Sequence, residues 1–122
     1  MSSSLSIMIV EDEPLIAMML EDFLDSLGHQ VLETCESVDS ALHCLKSETP
    51  DLAILDVNVA GQEVWPVAIA LRDKGIPFAL ATGGHLSSPP EGFEKIPTLA
   101  KPYTIDRVEP VIQEALAFSD GA

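Results

Sequence analysis

The 122-residue sequence predicts an α/β fold built on a doubly wound, five-stranded parallel sheet. Two observations lead to this fold class. Short apolar segments alternate along the chain with longer amphipathic segments, which is the pattern of repeated strand–helix units. The central apolar segments are continuously apolar, as expected for strands that helices cover on both faces of a sheet.

The first half of the chain predicts two strand–helix units. Leu5 to Val10 reads as a buried strand, and Pro14 suits the first turn of a helix that Gly28 ends. Gln30 to Cys35 predicts a second strand, which polar residues make less strongly apolar. Ser37 then suits the cap of the second helix, because a serine side chain can accept a hydrogen bond from the first turn.

The middle of the chain continues the alternation. Leu52 to Leu55 predicts the third strand, and a helix is expected over about 62–74, where Gly75 stops it. Pro77 to Ala81 predicts the fourth strand. Three of the five expected strands are therefore strongly apolar.

The last third of the chain is less regular. The 85–96 segment is rich in proline, serine and glycine, so its fourth helix is expected to be short or irregular, with Ser88 as a candidate cap. Residues 98–100 predict a short fifth strand. The final helix has two possible starts, since either Thr104 or Asp106 could cap it.

Composition and charge exclude several classes of function. There are 6 Lys and Arg against 20 Asp and Glu, which gives a formal net charge of −14. Binding to nucleic acid or to an anionic membrane surface needs clustered basic residues, so neither partner is expected. With 47% apolar residues, the chain can still bury a core. The length predicts one domain over 1–122, with its core over about 5–118 and no output domain.

The cysteines and the amino-terminal residues indicate the compartment. Cys35 and Cys44 lack a Cys-x-x-Cys spacing, so we expect free thiols in a reducing environment. The first apolar segment is too short for a signal peptide or a membrane span. The sequence therefore predicts a cytoplasmic protein.

Chemically active side chains follow four of the predicted strands. Glu11 and Asp12 follow the first strand, Asp56 ends the third, Thr82 follows the fourth and Lys101 follows the fifth. Ligands of open α/β sheets bind beyond the carboxyl ends of the strands. Clustered carboxylates repel one another unless a hard cation such as Mg²⁺ intervenes, and a hydroxyl with an ammonium suits phosphoryl oxygens. This set predicts phosphoryl transfer to Asp56.

These residues stand in motifs that resemble the receiver domain of bacterial two-component response regulators. The resemblance extends from about Ile7 to Phe118 and implies a flavodoxin-like receiver fold with strand order 2-1-3-4-5. Four fragments carry it in the same order along the chain: Val10-Glu11-Asp12-Glu13-Pro14, Leu55-Asp56-Val57-Asn58, Ala81-Thr82-Gly83 and Lys101-Pro102.

The resemblance implies a role for each matching residue. Asp56 corresponds to the phosphoacceptor, with Thr82 as the switch hydroxyl and Lys101 as the lysine that pairs with the phosphoryl group. The family binds Mg²⁺ through carboxylates and one backbone carbonyl, which here would be Glu11, Asp12, Asp56 and the backbone carbonyl of Asn58.

The run from Pro77 to Gly84 resembles the FAT GUY subgroup of single-domain receivers. Leu80 stands where that subgroup has Phe, and His85 where it has Tyr. Receivers also usually carry an aromatic residue three positions before the lysine, and this chain has Thr98 there. We therefore expect the switch to use ordering of the 83–96 segment instead of the usual aromatic rotation.

The resemblance implies a phosphoacceptor signalling domain that is not an enzyme in the ordinary sense. Its expected phosphodonor is a sensor histidine kinase or a histidine phosphotransfer protein. Its output would be altered binding to a downstream protein, or draining of phosphate, by a monomer or weak homodimer. A dehalogenase-like phosphatase is disfavoured because Asn58 replaces the second aspartate that it needs. A pseudo-receiver that binds partners without phosphorylation stays open.

Overall fold

The computed structural model describes residues 4–83 and 90–121, with side chains through residue 118. Its five-stranded sheet contains β1 (Ser6–Val10), β2 (Gln30–Cys35), β3 (Leu52–Asp56), β4 (Phe78–Thr82) and β5 (Thr98–Ala100). The strands lie in the order β2-β1-β3-β4-β5, and every neighbouring pair is parallel. The predicted fold class and strand order are confirmed.

Helices cover both faces of this sheet. They are α1 (Pro14–Ser26), α2 (Val38–Ser47), α3 (Trp65–Asp73) and α4 (Ile105–Gly121). Successive strand residues point to opposite faces, so Ile7 and Ile9 pack with residues of α1 and α4. Met8 and Val10 pack with residues of α2 and α3. Two cores therefore sandwich the sheet, which explains why its central strands are continuously apolar.

Two of the predicted helix boundaries depend on local chemistry that the structure confirms. Ser37 caps α2 by accepting a hydrogen bond from the Ser40 backbone N–H at 3.0 Å, and the Ser40 hydroxyl accepts one from the Ser37 N–H at 3.1 Å. This reciprocal pair is a capping box. Gly28 has a φ of 89°, a left-handed conformation that lets the chain turn out of α1 into β2.

The start of α3 corrects the sequence prediction, which placed it near residue 62. Asn58–Val59 and Gln62–Glu63 instead pair as two short antiparallel strands, which we call the 58–63 hairpin. The backbone of Gln62 and Glu63 is thus committed to the hairpin, and the helix begins at Trp65 with a proline in its first turn. Two-residue strands are too short to show a period in the sequence.

The last helix takes the earlier of its two possible starts. It begins at Ile105, and the Arg107 N–H donates to the Thr104 carbonyl at 3.0 Å. Pro110 consequently lies inside the helix. The 90–97 segment contains turns and no helix, in agreement with an irregular fourth helix. Ser88, the candidate cap, lies outside the described residues.

His29 joins α4 to the amino edge of the sheet. Its Nδ1 accepts the Leu5 N–H at 3.1 Å, and its Nε2 lies 2.9 Å from Glu109 Oε1. Because Nδ1 accepts a backbone hydrogen bond, we assign the ring proton to Nε2, which then donates to the Glu109 carboxylate. The imidazole is buried, and both of its nitrogens have partners.

Within the described ranges, no helix combines the length and the apolar character that crossing a bilayer requires.

Cys35 and Cys44 are both free and buried.

Candidate functional site at the carboxyl edge of the sheet

Parallel pairing brings the predicted site residues to one edge of the sheet. Asp56 is the last residue of β3 and lies opposite Ala81, one residue before Thr82 ends β4. Glu11 directly follows β1, and Lys101 directly follows β5. The carboxyl ends of neighbouring parallel strands share an edge, so residues far apart in sequence become neighbours there.

Three carboxylates meet at this edge, and we call Glu11, Asp12 and Asp56 the acidic cluster. One oxygen from each lies within 4.8 Å of the others. Glu11 is buried, with 2% of its surface exposed, while Asp12 and Asp56 are partly exposed. Glu13 is exposed and lies outside this group. The cluster therefore opens to solvent on the side of the two aspartates.

The Lys101 ammonium lies between two members of the acidic cluster. Its Nζ donates a hydrogen bond to Asp56 Oδ2 at 2.9 Å and lies 3.1 Å from Glu11 Oε1. Burial by itself lowers the pKa of Lys101, but the hydrogen bond to Asp56 and the contact with Glu11 outweigh it, and the pKa is raised. Lys101 thus stays protonated and offsets part of the carboxylate repulsion.

Glu11 is the most constrained member of the cluster. Its Oε2 accepts the Glu13 N–H at 3.1 Å, while its buried Oε1 is paired with the Lys101 ammonium at 3.1 Å. Loss of hydration raises the pKa of Glu11, and the charge of Asp56 raises it further. The Lys101 ammonium offsets part of the cost of burying this carboxylate.

Asp12 contacts the segment that follows β3. Its Oδ2 accepts the Ala60 N–H at 3.1 Å, across 48 positions of sequence. Ala60 forms the turn of the 58–63 hairpin, in which Asn58 is the first residue. Asn58, which follows Asp56 by two residues in the sequence, therefore lies in a segment that a hydrogen bond to Asp12 holds.

Thr82 lies at the same edge as the acidic cluster. It is the last residue of β4 and is partly buried. Its carbonyl accepts the Lys101 N–H at 2.9 Å, which continues the β4–β5 ladder by one residue. The backbone therefore fixes Thr82 and Lys101 relative to each other.

Sequence reasoning missed Ala60, whose contact with Asp12 joins residues far apart in the chain. Tyr103 stands two residues after Lys101, where the chain turns back from β5 into α4, and it is buried, with 4% of its surface exposed. Burial raises the pKa of its hydroxyl, and the negative charges of Glu11 and Asp56 raise it further.

The donor set of the acidic cluster fits a hard divalent cation. All of its candidate ligand atoms are carboxylate oxygens, one from each of the three side chains. Mg²⁺ prefers carboxylate and carbonyl oxygens, and it keeps waters that a phosphoryl oxygen can displace. The residues present are therefore the kind that hold Mg²⁺ beside a phosphoryl group.

Comparison with known proteins points to the same family that the sequence motifs resemble. A sequence model of the response regulator receiver domain family matches residues 7–77. The solution structure of SdrG from Sphingomonas melonis Fr1 is 46% identical and has a TM-score of 0.83, with 95% of this chain and 99% of that chain covered.

Two further relatives show how far the likeness extends. The BeF3-activated conformation of SdrG from Pseudomonas melonis Fr1 is 48% identical, with a TM-score of 0.77 over 94% of this chain and 98% of that chain. The phyllosphere-induced regulator PhyR of Methylorubrum extorquens is 32% identical over 95% of this chain and 45% of its own length. The chain spans less than half the length of the first curated relatives that it matches.

Proposed function

This chain belongs to the response regulator receiver domain family, and on that premise we propose that it accepts a phosphoryl group on Asp56 in the presence of Mg²⁺. The observation that carries the proposal is the convergence of the acidic cluster with Lys101 at one edge of the sheet. A carboxylate nucleophile, a set of oxygen ligands and a fixed ammonium are what phosphoryl transfer requires.

Each site residue has a chemical part in the proposed transfer. Lys101 is bonded to Asp56 Oδ2, so Oδ1 is the oxygen left for attack on phosphorus. As that P–O bond forms, the bond between phosphorus and the imidazole nitrogen of the donor breaks, and the nitrogen keeps the electron pair. Bound Mg²⁺ would neutralise charge on the transferring oxygens. Lys101 and Thr82 would contact the phosphoryl group after transfer.

Glu11, Asp12, Asp56 and the backbone carbonyl of Asn58 are the proposed Mg²⁺ ligands. The oxygen-only donor set of the acidic cluster supports this assignment. The phosphoryl group would add about one to two negative charges at Asp56. Such a change at one end of the sheet is large enough to alter the binding of another protein.

We propose a sensor histidine kinase or a histidine phosphotransfer protein as the phosphodonor. The output is then altered binding to a downstream protein, or draining of phosphate from another regulator, without catalysis on an external substrate. The net charge of −14 supports a protein partner rather than nucleic acid. A cytoplasmic location and a monomeric or weakly dimeric state are part of this proposal. The FAT GUY assignment stays a prediction, since Gly84 and His85 lie outside the described residues.

Acetyl phosphate provides a direct test. We expect the purified chain to acquire one phosphoryl group in the presence of Mg²⁺, seen as a shifted band on a phosphate-affinity gel and by intact mass. Asp56→Asn should abolish the modification. Asp73→Asn, which removes an exposed carboxylate at the end of α3, is the matched control and should leave it unchanged.

Three results would contradict the proposal, each in a different way. A wild-type chain that stays unmodified in saturating Mg²⁺ would favour a pseudo-receiver. Repeated turnover of simple phosphate esters would favour an enzyme with an aspartate nucleophile. A modification that survives Asp56→Asn would place the phosphoacceptor elsewhere.

A further inference from the structure

The 58–63 hairpin has a strained turn. Ala60 has a φ of 51° and Gly61 a φ of 81°, and among the residues that the structure describes Ala60 is the one non-glycine residue with a positive φ. Two consecutive positive φ values define the tight turn whose twist suits a two-residue hairpin. An alanine there is disfavoured, because its Cβ crowds the backbone in the left-handed region.

A side chain of the acidic cluster holds this turn in place. Asp12 Oδ2 accepts the Ala60 N–H at 3.1 Å, and Asp12 belongs to the loop between β1 and α1. A carboxylate has about four lone-pair sites, so one hydrogen bond leaves Asp12 with capacity to bind a cation. The same side chain can therefore serve the hairpin and the metal site.

The register of the hairpin decides where the Asn58 carbonyl points. The Val64 N–H donates to the Val57 carbonyl at 2.9 Å, so the residues on either side of Asn58 and Glu63 carry the cross-strand hydrogen bonds. In an antiparallel ladder, hydrogen-bonded and non-hydrogen-bonded pairs alternate. Asn58 and Glu63 thus form a non-hydrogen-bonded pair, in which the Asn58 carbonyl faces away from Glu63 and is not used by the hairpin.

We propose that the 58–63 hairpin is a positioning element for the metal site. Asp12 fixes the turn at Ala60, the turn fixes the register, and the register presents the Asn58 carbonyl to the cation. Ala60 and Gly61 touch no ligand themselves and act through Asn58 as positioning residues. This inference rests on the proposed function, because it concerns the Mg²⁺ that phosphoryl transfer to Asp56 would use.

Gly61 allows the backbone to be perturbed without a steric clash. A Cβ built on Gly61 has no atom within 4 Å, so Gly61→Ala adds only the strain of an L-residue at a φ of 81°. Gly75 offers a matched control, since its φ is 72° and its Cβ position is equally open, but it follows α3 at the opposite edge of the sheet. Gly75→Ala should lose similar stability without affecting the metal site.

The experiment is a Mg²⁺ titration of the wild type and these variants, followed by fluorescence of the sole tryptophan, Trp65, and by calorimetry. Trp65 lies two residues beyond the hairpin and is mostly buried. We expect Gly61→Ala to weaken Mg²⁺ binding about tenfold, because fewer molecules hold the competent hairpin. Gly75→Ala should bind Mg²⁺ as the wild type does.

A conservative variant separates positioning from general damage. Asparagine tolerates the left-handed region better than alanine, so Gly61→Asn should recover most of the lost Mg²⁺ affinity. Hydrogen exchange at the Ala60 amide should follow the same order, with protection greatest in the wild type and least in Gly61→Ala.

The outcomes distinguish this inference from the proposed function. If the wild type binds no Mg²⁺, the proposed metal site fails and the inference fails with it. If the wild type binds Mg²⁺ and the Gly61→Ala and Gly75→Ala variants bind it equally well, the positioning role is overturned while the proposed function stands.

Discussion

The Lys101 ammonium offsets the repulsion among three carboxylates at one edge of the sheet. Lys101→Met removes this charge and should therefore lower the stability of the fold. The Nζ of Lys101 lies 2.9 Å from Asp56 Oδ2 and 3.1 Å from Glu11 Oε1. At an effective dielectric constant of about 20, these two distances correspond to attractions of about 6 and 5 kcal/mol. The carboxylate oxygens lie within 4.8 Å of one another, which corresponds to at least about 3 kcal/mol of repulsion per pair.

The ammonium therefore roughly balances the repulsion within the acidic cluster. Methionine keeps the aliphatic stem of Lys101 and removes its charge, so the variant leaves the buried Glu11 and the partly exposed Asp56 without their ammonium partner. We expect a loss of about 3 kcal/mol in the free energy of unfolding without Mg²⁺, since removing one partner of a buried ion pair typically costs about 3–5 kcal/mol. For a chain of this size, the melting temperature should fall by about 10 °C.

The assay is thermal unfolding with and without saturating Mg²⁺. We expect Mg²⁺ to raise the melting temperature of Lys101→Met more than that of the wild type, because the cation then supplies the missing positive charge. Lys95→Met removes an exposed lysine and should change stability by about 0.5 kcal/mol or less. A Lys101→Met variant with wild-type stability in Mg²⁺-free buffer, and no larger response to Mg²⁺, would refute the electrostatic reasoning.

Three further predictions concern single residues. Asp12→Ala should largely abolish the rise in melting temperature that Mg²⁺ produces, and a rise equal to that of the wild type would remove Asp12 from the metal site. Ser37→Ala should cost about 1 kcal/mol because the cap of α2 is lost, whereas Ser37→Gly should cost a few tenths, as measured by urea unfolding. Burial raises the pKa of Cys35 from 9.0 to about 12, with the neighbouring Cys44 contributing. The thiolate fraction of Cys35 near pH 8 should therefore be about 1000-fold lower in the folded chain than in the unfolded chain. A thiol reagent that labels Cys35 of the native wild type as fast as Cys35 of the unfolded chain, with the labelled peptide identified by mass, would contradict this.

The sequence predicted the parts of the fold that depend on local pattern. Apolar runs and helix signals such as Pro14, Gly28 and Ser37 act within a few residues, so they can be identified without the tertiary structure. The same reasoning predicted that the candidate site residues meet at one edge of the sheet. The carboxyl ends of parallel strands share one edge, so residues after each strand, such as Asp56 and Lys101, had to converge there.

The predicted start of α3 was wrong because the true start depends on a long-range contact. The 58–63 hairpin has strands of two residues, and its turn is held by Asp12 from another part of the chain. Neither feature produces a periodic signal. The environment of His29 also depends on a long-range contact, since its Nε2 is paired with Glu109, 80 positions away in the sequence.

Local sequence signals are sufficient to assign the succession of strands and helices along the chain and to identify the residues at the strand ends. The interactions among those residues are visible in the folded chain alone: Lys101 bridges Asp56 and Glu11, and Asp12 also holds Ala60. The difference lies in the range over which each effect acts. Backbone preferences and amphipathic patterns act over a few residues, whereas burial, ion pairing and desolvation depend on which distant segments the fold brings together.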